Sequence, residues 1–187
     1  MTRPPVSNPG RRQAVLAAAR ALFAERGYRA TTVRDIADAS GVLSGSLYLY
    51  FDSKETLIDE VLSSYLDELV VTYRRVVAAG GDAGTQLRGL VKAAFAAFDQ
   101  HRAAGVVLLH ERHSLTQLPR FAHLAEREAE IECLWSGVIR QAQERGDLRA
   151  DVDAKAAYRY VRDGICSAGP ALTADQFLGL LLDGLKR

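Results

Sequence analysis

The residues of this chain with the most usable chemistry fall between Thr32 and Lys54. Thr32, Ser44, Ser46 and Tyr48 supply hydroxyls, Arg34 and Lys54 supply cations, Leu49 supplies apolar surface, and Gly45 leaves a bare backbone among them. Hydroxyls and cations in such a mixture hydrogen-bond phosphate oxygens and base edges, whereas a leucine can only touch a thymine methyl or exclude water. Taken singly, each also has a structural reading, because serines cap helices and exposed tyrosines are common. Enzyme signatures are missing. The chain has no Gly-x-Ser-x-Gly elbow, Walker loop or dinucleotide fingerprint, and Gly80-Gly-Asp-Ala-Gly84 lacks the lysine and the helix start of a phosphate loop. His110-Glu-Arg-His113 sets two histidines three apart, but no third metal ligand stands at a suitable spacing. A solvated, salt-bridged helix face is expected there, with no metal and no cofactor.

These side chains must be positioned by helices. Apolar residues at three- and four-residue steps predict a first helix over 11–26 through Val15, Leu16, Ala19, Leu22 and Phe23, stopped at Gly27. Thr32, with Asp35 three residues on, starts a short second helix that buries Val33, Ile36 and Ala37 and ends at Ser40-Gly41. Ser44 is expected to cap a third. At 100° per residue its core face is Leu43, Leu47, Tyr50 and Phe51; Gly45, Tyr48 and Leu49 point away, and Ser44 and Ser46 flank. A glycine on an exposed helix face costs roughly 1 kcal/mol against alanine, so its presence points to a partner that approaches the backbone closely. A DNA major groove is such a partner. Two short helices joined by a tight glycine turn form a helix-turn-helix whose second helix enters that groove. There Tyr48 can lie along the sugar edge with its hydroxyl on a phosphate, Arg34 can reach from the second helix, and Lys54 adds a mobile charge at the head of the fourth.

That fourth helix starts at Ser53 or Asp52 and carries a stripe through Leu57, Ile58, Val61, Leu62, Tyr65, Leu66 and Leu69. After a glycine-rich loop over 78–84, further helices are expected near 85–100, 102–115, 119–145, 153–168 and 174–186, and no segment reads as a strand. The expected fold is therefore all-α with about nine helices. A content of 48% hydrophobic residues in 187 is ample for a core. No apolar run reaches membrane-spanning length, and MTRPPVSNPGRR has no apolar core of signal-peptide type, so a cytoplasmic protein without membrane partners is expected. Net charge is only +1, but residues 1–54 hold 8 Lys+Arg against 4 Asp+Glu, which makes the N-terminal part the basic one. Cys133 and Cys166 match neither a disulfide framework nor zinc spacing and are expected to be buried thiols.

In the C-terminal part, Tyr65, Leu69, Phe95, Phe98, Leu109 and Trp135 lie on amphipathic helices, where they either enclose an apolar ligand cavity or simply form core. Arg162 is one turn from Tyr158 on an otherwise apolar helix face. It calls for an anion, which could be a ligand carboxylate or phosphate, or else Asp163 or another acidic side chain.

The stretch from Ala30-Thr-Thr-Val-Arg-Asp-Ile-Ala-Asp-Ala-Ser-Gly-Val42 through Ser-Gly-Ser-Leu-Tyr-Leu-Tyr-Phe-Asp-Ser-Lys-Glu55 and Leu57 closely resembles the DNA-binding domain of TetR-family transcriptional regulators. The match extends from about Arg12 to Leu62, with Phe23, Gly27, Thr32, Ile36, Ala37, Gly41, Val42, Leu47, Tyr48, Phe51 and Lys54 in register. It departs at Leu49, where many relatives carry histidine or another polar residue. The resemblance implies a helix-turn-helix DNA-binding domain over 8–53 and a ligand-binding and dimerisation domain over 54–187. It further implies a homodimer formed through the last two helices, bound to two-fold-related double-stranded operator DNA as a repressor and released by a small-molecule inducer. The wording of 25–51, Leu118-Pro-Arg-Phe121 and Tyr158-Arg-Tyr-Val-Arg-Asp163 is similar to actinobacterial members that regulate steroid and fatty-acid breakdown and sense coenzyme A thioesters. That likeness implies Arg162 for the anionic part of the ligand and the aromatic set for its ring or acyl part. The connection from Cys166 to Thr173 is shorter than in those relatives and lacks their aromatics. A drug-like or aromatic ligand, and an enzyme in a helical bundle, are the alternative readings.

Overall fold

The computed structural model describes residues 9–116, 118–168 and 171–185. They form nine α-helices: α1 (Pro9–Arg26), α2 (Val33–Ser40), α3 (Ser44–Leu47), α4 (Lys54–Ala78), α5 (Ala83–Gln100), α6 (Arg102–Thr116), α7 (Ala122–Glu144), α8 (Ala154–Ala168) and α9 (Ala174–Leu185). No strand occurs among the described residues. One 3-10 turn, Pro119–Phe121, leads into α7, where the sequence pattern reads as one continuous helix. Proline lacks the N–H that an α-helix interior needs but fits a first turn, so the chain enters α7 through that turn. Pro170 and Gly169 of the Cys166–Thr173 connection, residue 8 and residue 186 lie outside the described residues.

The described residues divide into two compact units. The first holds those up to Ser64 together with His101–Arg112, so it contains α1 to α3, the start of α4 and most of α6. Its core is made of the residues that the helical period selects: Val15, Ala19, Phe23, Ile36, Ala37, Leu47, Phe51, Leu57, Ile58, Val61 and Leu62 are all 2% exposed or less. The second unit holds Tyr65–Gln100 and the described residues from His113 onward. In it α7 packs on α5 and α8, and α5 packs on α9.

Local chemistry fixes the ends of α2. The Thr32 hydroxyl accepts the Asp35 N–H at 3.1 Å while the Asp35 carboxylate accepts the Thr32 N–H at 2.8 Å, a complete capping box. Gly41 closes the helix in the left-handed conformation, φ 68°, which a side chain would strain. The Thr32 hydroxyl, then its N–H, hold the Asp35 carboxyl below the usual carboxylate range. The box is therefore intact above the ordinary carboxylate pKa and is lost only as pH falls through the lower folded-state value. Thr32→Ala removes the cap and is expected to lower stability by about 1 kcal/mol, visible as a lower midpoint in urea.

Several expectations need correction. Ser44 does not cap α3: the N-cap is Leu43, with φ −67° and ψ 140°, and no side chain caps the helix. Leu43 is consequently outside the helical repeat that placed it in the core, and it is 80% exposed. Tyr50 is half-buried, since the regular helix stops at Leu47 and the chain continues as turns. Of the two candidate starts for α4, Ser53 is the one that bonds, accepting the Thr56 N–H at 3.2 Å. A helix does start beside the glycine loop, at Ala83, with Asp82 accepting the Thr85 N–H at 2.7 Å; the lysine of a phosphate loop is still absent. Neither cysteine is buried: Cys133 is exposed and Cys166 half-buried. The face around Glu111 is not simply solvated, because the Glu111 side chain is 13% exposed and pairs with Arg29 at 3.3 Å. The side chain of His113 lies outside the described residues.

In the second unit, Gly164 on α8 allows a close approach, since a Cβ there would stand 3.0 Å from two ring carbons of Phe177 on α9. Gly164→Ala is expected to force the helices apart and cost about 1–3 kcal/mol, measurable as a lower Tm.

Candidate functional site

The first unit brings four of the residues singled out in the sequence to one place. Thr32, Arg34, Ser44 and Tyr48 line a recess of about 620 Å³, together with Val33, Asp38, Val42 and Leu43. The Thr32–Asp35 capping box and the Gly41 turn put them there: α2 ends at Gly41, and α3 begins three residues later. Gly45 is exposed, and a Cβ added to it would meet nothing within 4 Å, so the chain itself has no need of glycine there. Ser46 is half-buried on the flank, and Tyr48 and Leu49 are 54% and 57% exposed. Sequence reasoning missed Leu43, whose signal was its place before Ser44 rather than within the helix.

Two of these residues are more committed than their types suggest. The Thr32 hydroxyl donates to Asp35 at 2.6 Å, so its proton is in the capping box and only acceptor capacity is left for a partner. Lys54 is not a mobile charge. Its ammonium donates to the Tyr28 and Thr31 carbonyls, both at 2.9 Å, and sits 4.3 Å from the centre of the Tyr28 ring. The Tyr28 hydroxyl in turn donates to Glu55 at 3.3 Å. The backbone N–H of Glu55 holds its carboxyl below the usual range against partial burial, with help from Ser53, Tyr28 and Lys54. Lys54 thus clamps the loop between α1 and α2 that carries Thr32 into position. Arg12 ties α1 to α4, pairing with Glu60 at 2.9 Å and lying 4.6 Å from the Phe51 ring centre.

The second unit gathers a different set. Trp135 on α7, 1% exposed, meets Tyr73 of α4 edge-on at 5.7 Å and Tyr158 of α8 at 5.7 Å. Tyr65 and Leu69 on α4 and Phe98 on α5 are buried as well. The Trp135 indole nitrogen is buried without a hydrogen bond of ordinary geometry. Burial pushes the Tyr73 hydroxyl well above its usual pKa, and Tyr65, Tyr158 and Cys166 add to the rise; the nearby indole N–H opposes it without reaching hydrogen-bond geometry. Arg162 lies at the edge of this group, its guanidinium 5.7 Å from the Tyr158 ring centre and its Nε donating to Asp163 at 2.9 Å. Burial works against its charge, but the Asp163 hydrogen bond with Tyr158, Asp163 and Glu128 outweighs burial and raises its pKa. The half-buried Phe95 packs instead on Phe177 at 5.4 Å, and Leu109 belongs to the first unit. A second recess, about 520 Å³, opens at Val77, Gln86, Cys133, Gly137, Arg140 and Glu144, none of which the sequence proposed as a ligand contact. No cluster of metal-ligating side chains occurs among the described residues.

A capped helix bearing a cation, a glycine turn and a second short helix bearing hydroxyls, in a protein whose described residues form only helices, make a helix-turn-helix. Comparison with known proteins makes the class specific: the chain belongs to the tetR family of bacterial regulatory proteins, which it matches over residues 15–61, and its residues 80–167 match the tetracyclin repressor-like C-terminal domain. It is accordingly a transcriptional regulator and not an enzyme, from a family that binds operator DNA, typically as dimers, and small-molecule ligands. Over 99% of its length it is 43% identical to the HTH-type transcriptional repressor KstR2 of Rhodococcus jostii, of which it covers 98%. It is 40% identical to KstR2 of Mycobacterium tuberculosis, over 95% of this chain and 94% of the relative. The structure of the ketosteroid transcriptional regulator KstR2 of Mycobacterium tuberculosis superposes with a TM-score of 0.85 at 38% identity, covering all of both chains. No helix among the described residues is long and apolar enough to cross a membrane.

Proposed function

We propose that this chain is a dimeric repressor of genes for steroid or related lipid breakdown, released from its operator by a coenzyme A thioester of a lipid intermediate. The full-length likeness to regulators named as KstR2 repressors carries the reading. Functionally, residues 8–53 form the DNA-binding part and 54–187 the ligand-binding and dimerisation part. Thr32, Arg34, Ser44, Gly45, Ser46, Tyr48 and Leu49 face DNA, and Lys54 acts chiefly through the loop it clamps. Two copies join through α8 and α9, where Tyr160 and Leu180 leave apolar surface 76% and 67% exposed. The acyl or ring part of the ligand enters among Tyr65, Leu69, Phe98, Trp135 and Tyr158. Burying a ketone or ester oxygen there would satisfy the Trp135 indole N–H, and Arg162 would exchange Asp163 for a ligand carboxylate or phosphate.

Release is a shift of population. Two recognition helices engage successive major grooves only at a separation of about 34–36 Å or a multiple of it. Ligand that binds better to a dimer with another separation draws molecules off the operator, and ligand indifferent to separation does not. Because α4 runs from Lys54 to Ala78, it carries both the clamp on the DNA-facing loop and Tyr73 of the aromatic group. The test is operator binding by the purified protein across a panel of steroid-derived and fatty acyl-CoA thioesters. Weakening by at least one of them is expected; equal operator affinity with every one would end the ligand assignment.

A further inference from the structure

Among the described residues the first unit exposes three large hydrophobic side chains, Leu43, Tyr48 and Leu49, and all lie between residues 43 and 49. Leu43 is the most exposed of them at 80%. It occupies the N-cap of α3, a position where serine, threonine, aspartate or asparagine would satisfy a backbone N–H, and it supplies no such bond. Neither helix stability nor solubility accounts for a leucine there. It shares its recess with the hydroxyls of Thr32, Ser44 and Tyr48 and with Arg34.

We infer that Leu43 is a base-reading residue, whose side chain takes the C5-methyl group of an operator thymine in the major groove. This deepens the proposed DNA reading and rests on it. The first residues of a recognition helix are those that reach base edges, and the thymine methyl is the apolar group the major groove displays among its donors and acceptors. A protein partner fits the surface less well. Protein interfaces take about 800 Å² from each side and exclude charge from their centre, whereas this patch is three side chains broken by Ser44, Gly45 and Ser46 and bordered by Arg34. Leu49, on the far side of Tyr48 in sequence and absent from the recess lining, is left for a different base pair or for excluding water.

The experiment starts from duplexes selected by the full-length protein out of a random pool. Each thymine of the selected site is then replaced, one symmetric pair at a time, by deoxyuridine, which removes the methyl group and nothing else. For the unaltered protein one pair is expected to lose about 3- to 5-fold in affinity per half-site, the worth of one buried methyl-sized group. Leu43→Ala and Leu43→Ser should bind thymine and uracil sites of that pair equally, and Leu43→Ser, which restores a hydroxyl to the N-cap, guards against loss through misfolding. Leu49→Ala should keep the discrimination. The inference is overturned if no thymine pair is methyl-sensitive, or if the sensitive pair stays sensitive in both Leu43 variants. Failure to enrich any sequence would instead overturn the DNA reading on which it stands.

Discussion

Replacing Arg162 by methionine is expected to raise the concentration of coenzyme A thioester needed for operator release by about 10- to 100-fold, the range that follows from losing one charge-assisted hydrogen bond. Operator affinity without ligand should stay within about twofold of the unaltered protein, because Arg162 is bonded to Asp163 in the second unit and the DNA-facing residues belong to the first. The stability cost should also be small. Arg162 is bonded to its neighbour Asp163, whose side chain is 53% exposed, so that carboxylate is left to solvent, while the buried Glu128 Oε1 loses a favourable charge. Methionine keeps much of the packing against Tyr158 while removing the charge. A lysine at the position should recover part of the response, since it restores charge but not the planar fork. Titrating ligand against preformed protein–operator complex reads both variants beside the unaltered protein. Unchanged release by Arg162→Met would assign Arg162 to its ion pair with Asp163 alone.

The second large effect concerns Lys54. Its ammonium makes two hydrogen bonds to carbonyls of the α1–α2 loop and stacks on Tyr28, so Lys54→Ala leaves both carbonyls without that donor. With the half-buried setting taken into account, the loss is expected to be about 2–4 kcal/mol, or a Tm lower by roughly 5–12 °C. DNA affinity should fall for every sequence together, because the displaced loop carries Thr32 and the start of α2. If the same variant kept its Tm and only flattened the salt dependence of DNA binding by about one phosphate contact, Lys54 would be a simple backbone contact instead.

The sequence made the helices and the DNA-facing surface legible to different degrees. Long periodic segments such as α4 and α7 were readable because burial follows the 3.6-residue period. The Thr32–Asp35 box and Gly41 were readable because caps have fixed chemistry. Around α3 the same reasoning failed in a definite way: a four-residue helix is too short for its period to place Leu43, and a serine beside a leucine does not reveal which of them is the cap. Lys54 was legible as a cation at the head of α4, but its clamp on Tyr28 and Thr31 joins residues 26 and 23 apart and has no local signature. Likewise, helical amphipathicity could show that Phe95 and Leu109 have an apolar side but not that Phe95 packs on Phe177 or that Leu109 belongs to the first unit. Arg162 was legible as a cation on an apolar face, and Asp163 was legible as one of its possible partners.

Ligand-released operator binding is read by the anisotropy of a labelled operator duplex, taken from a selected or upstream sequence, with the full-length protein at physiological salt. A scrambled duplex is measured alongside, and both are then titrated with steroid-derived acyl-CoA thioesters. Tight binding to the operator alone, reversed by at least one thioester at concentrations that leave free coenzyme A without effect, is the predicted result. Equal, weak binding to both duplexes in ligand-free protein, or operator binding that no thioester reverses, would contradict it: the first outcome contradicts the DNA reading and the second the ligand.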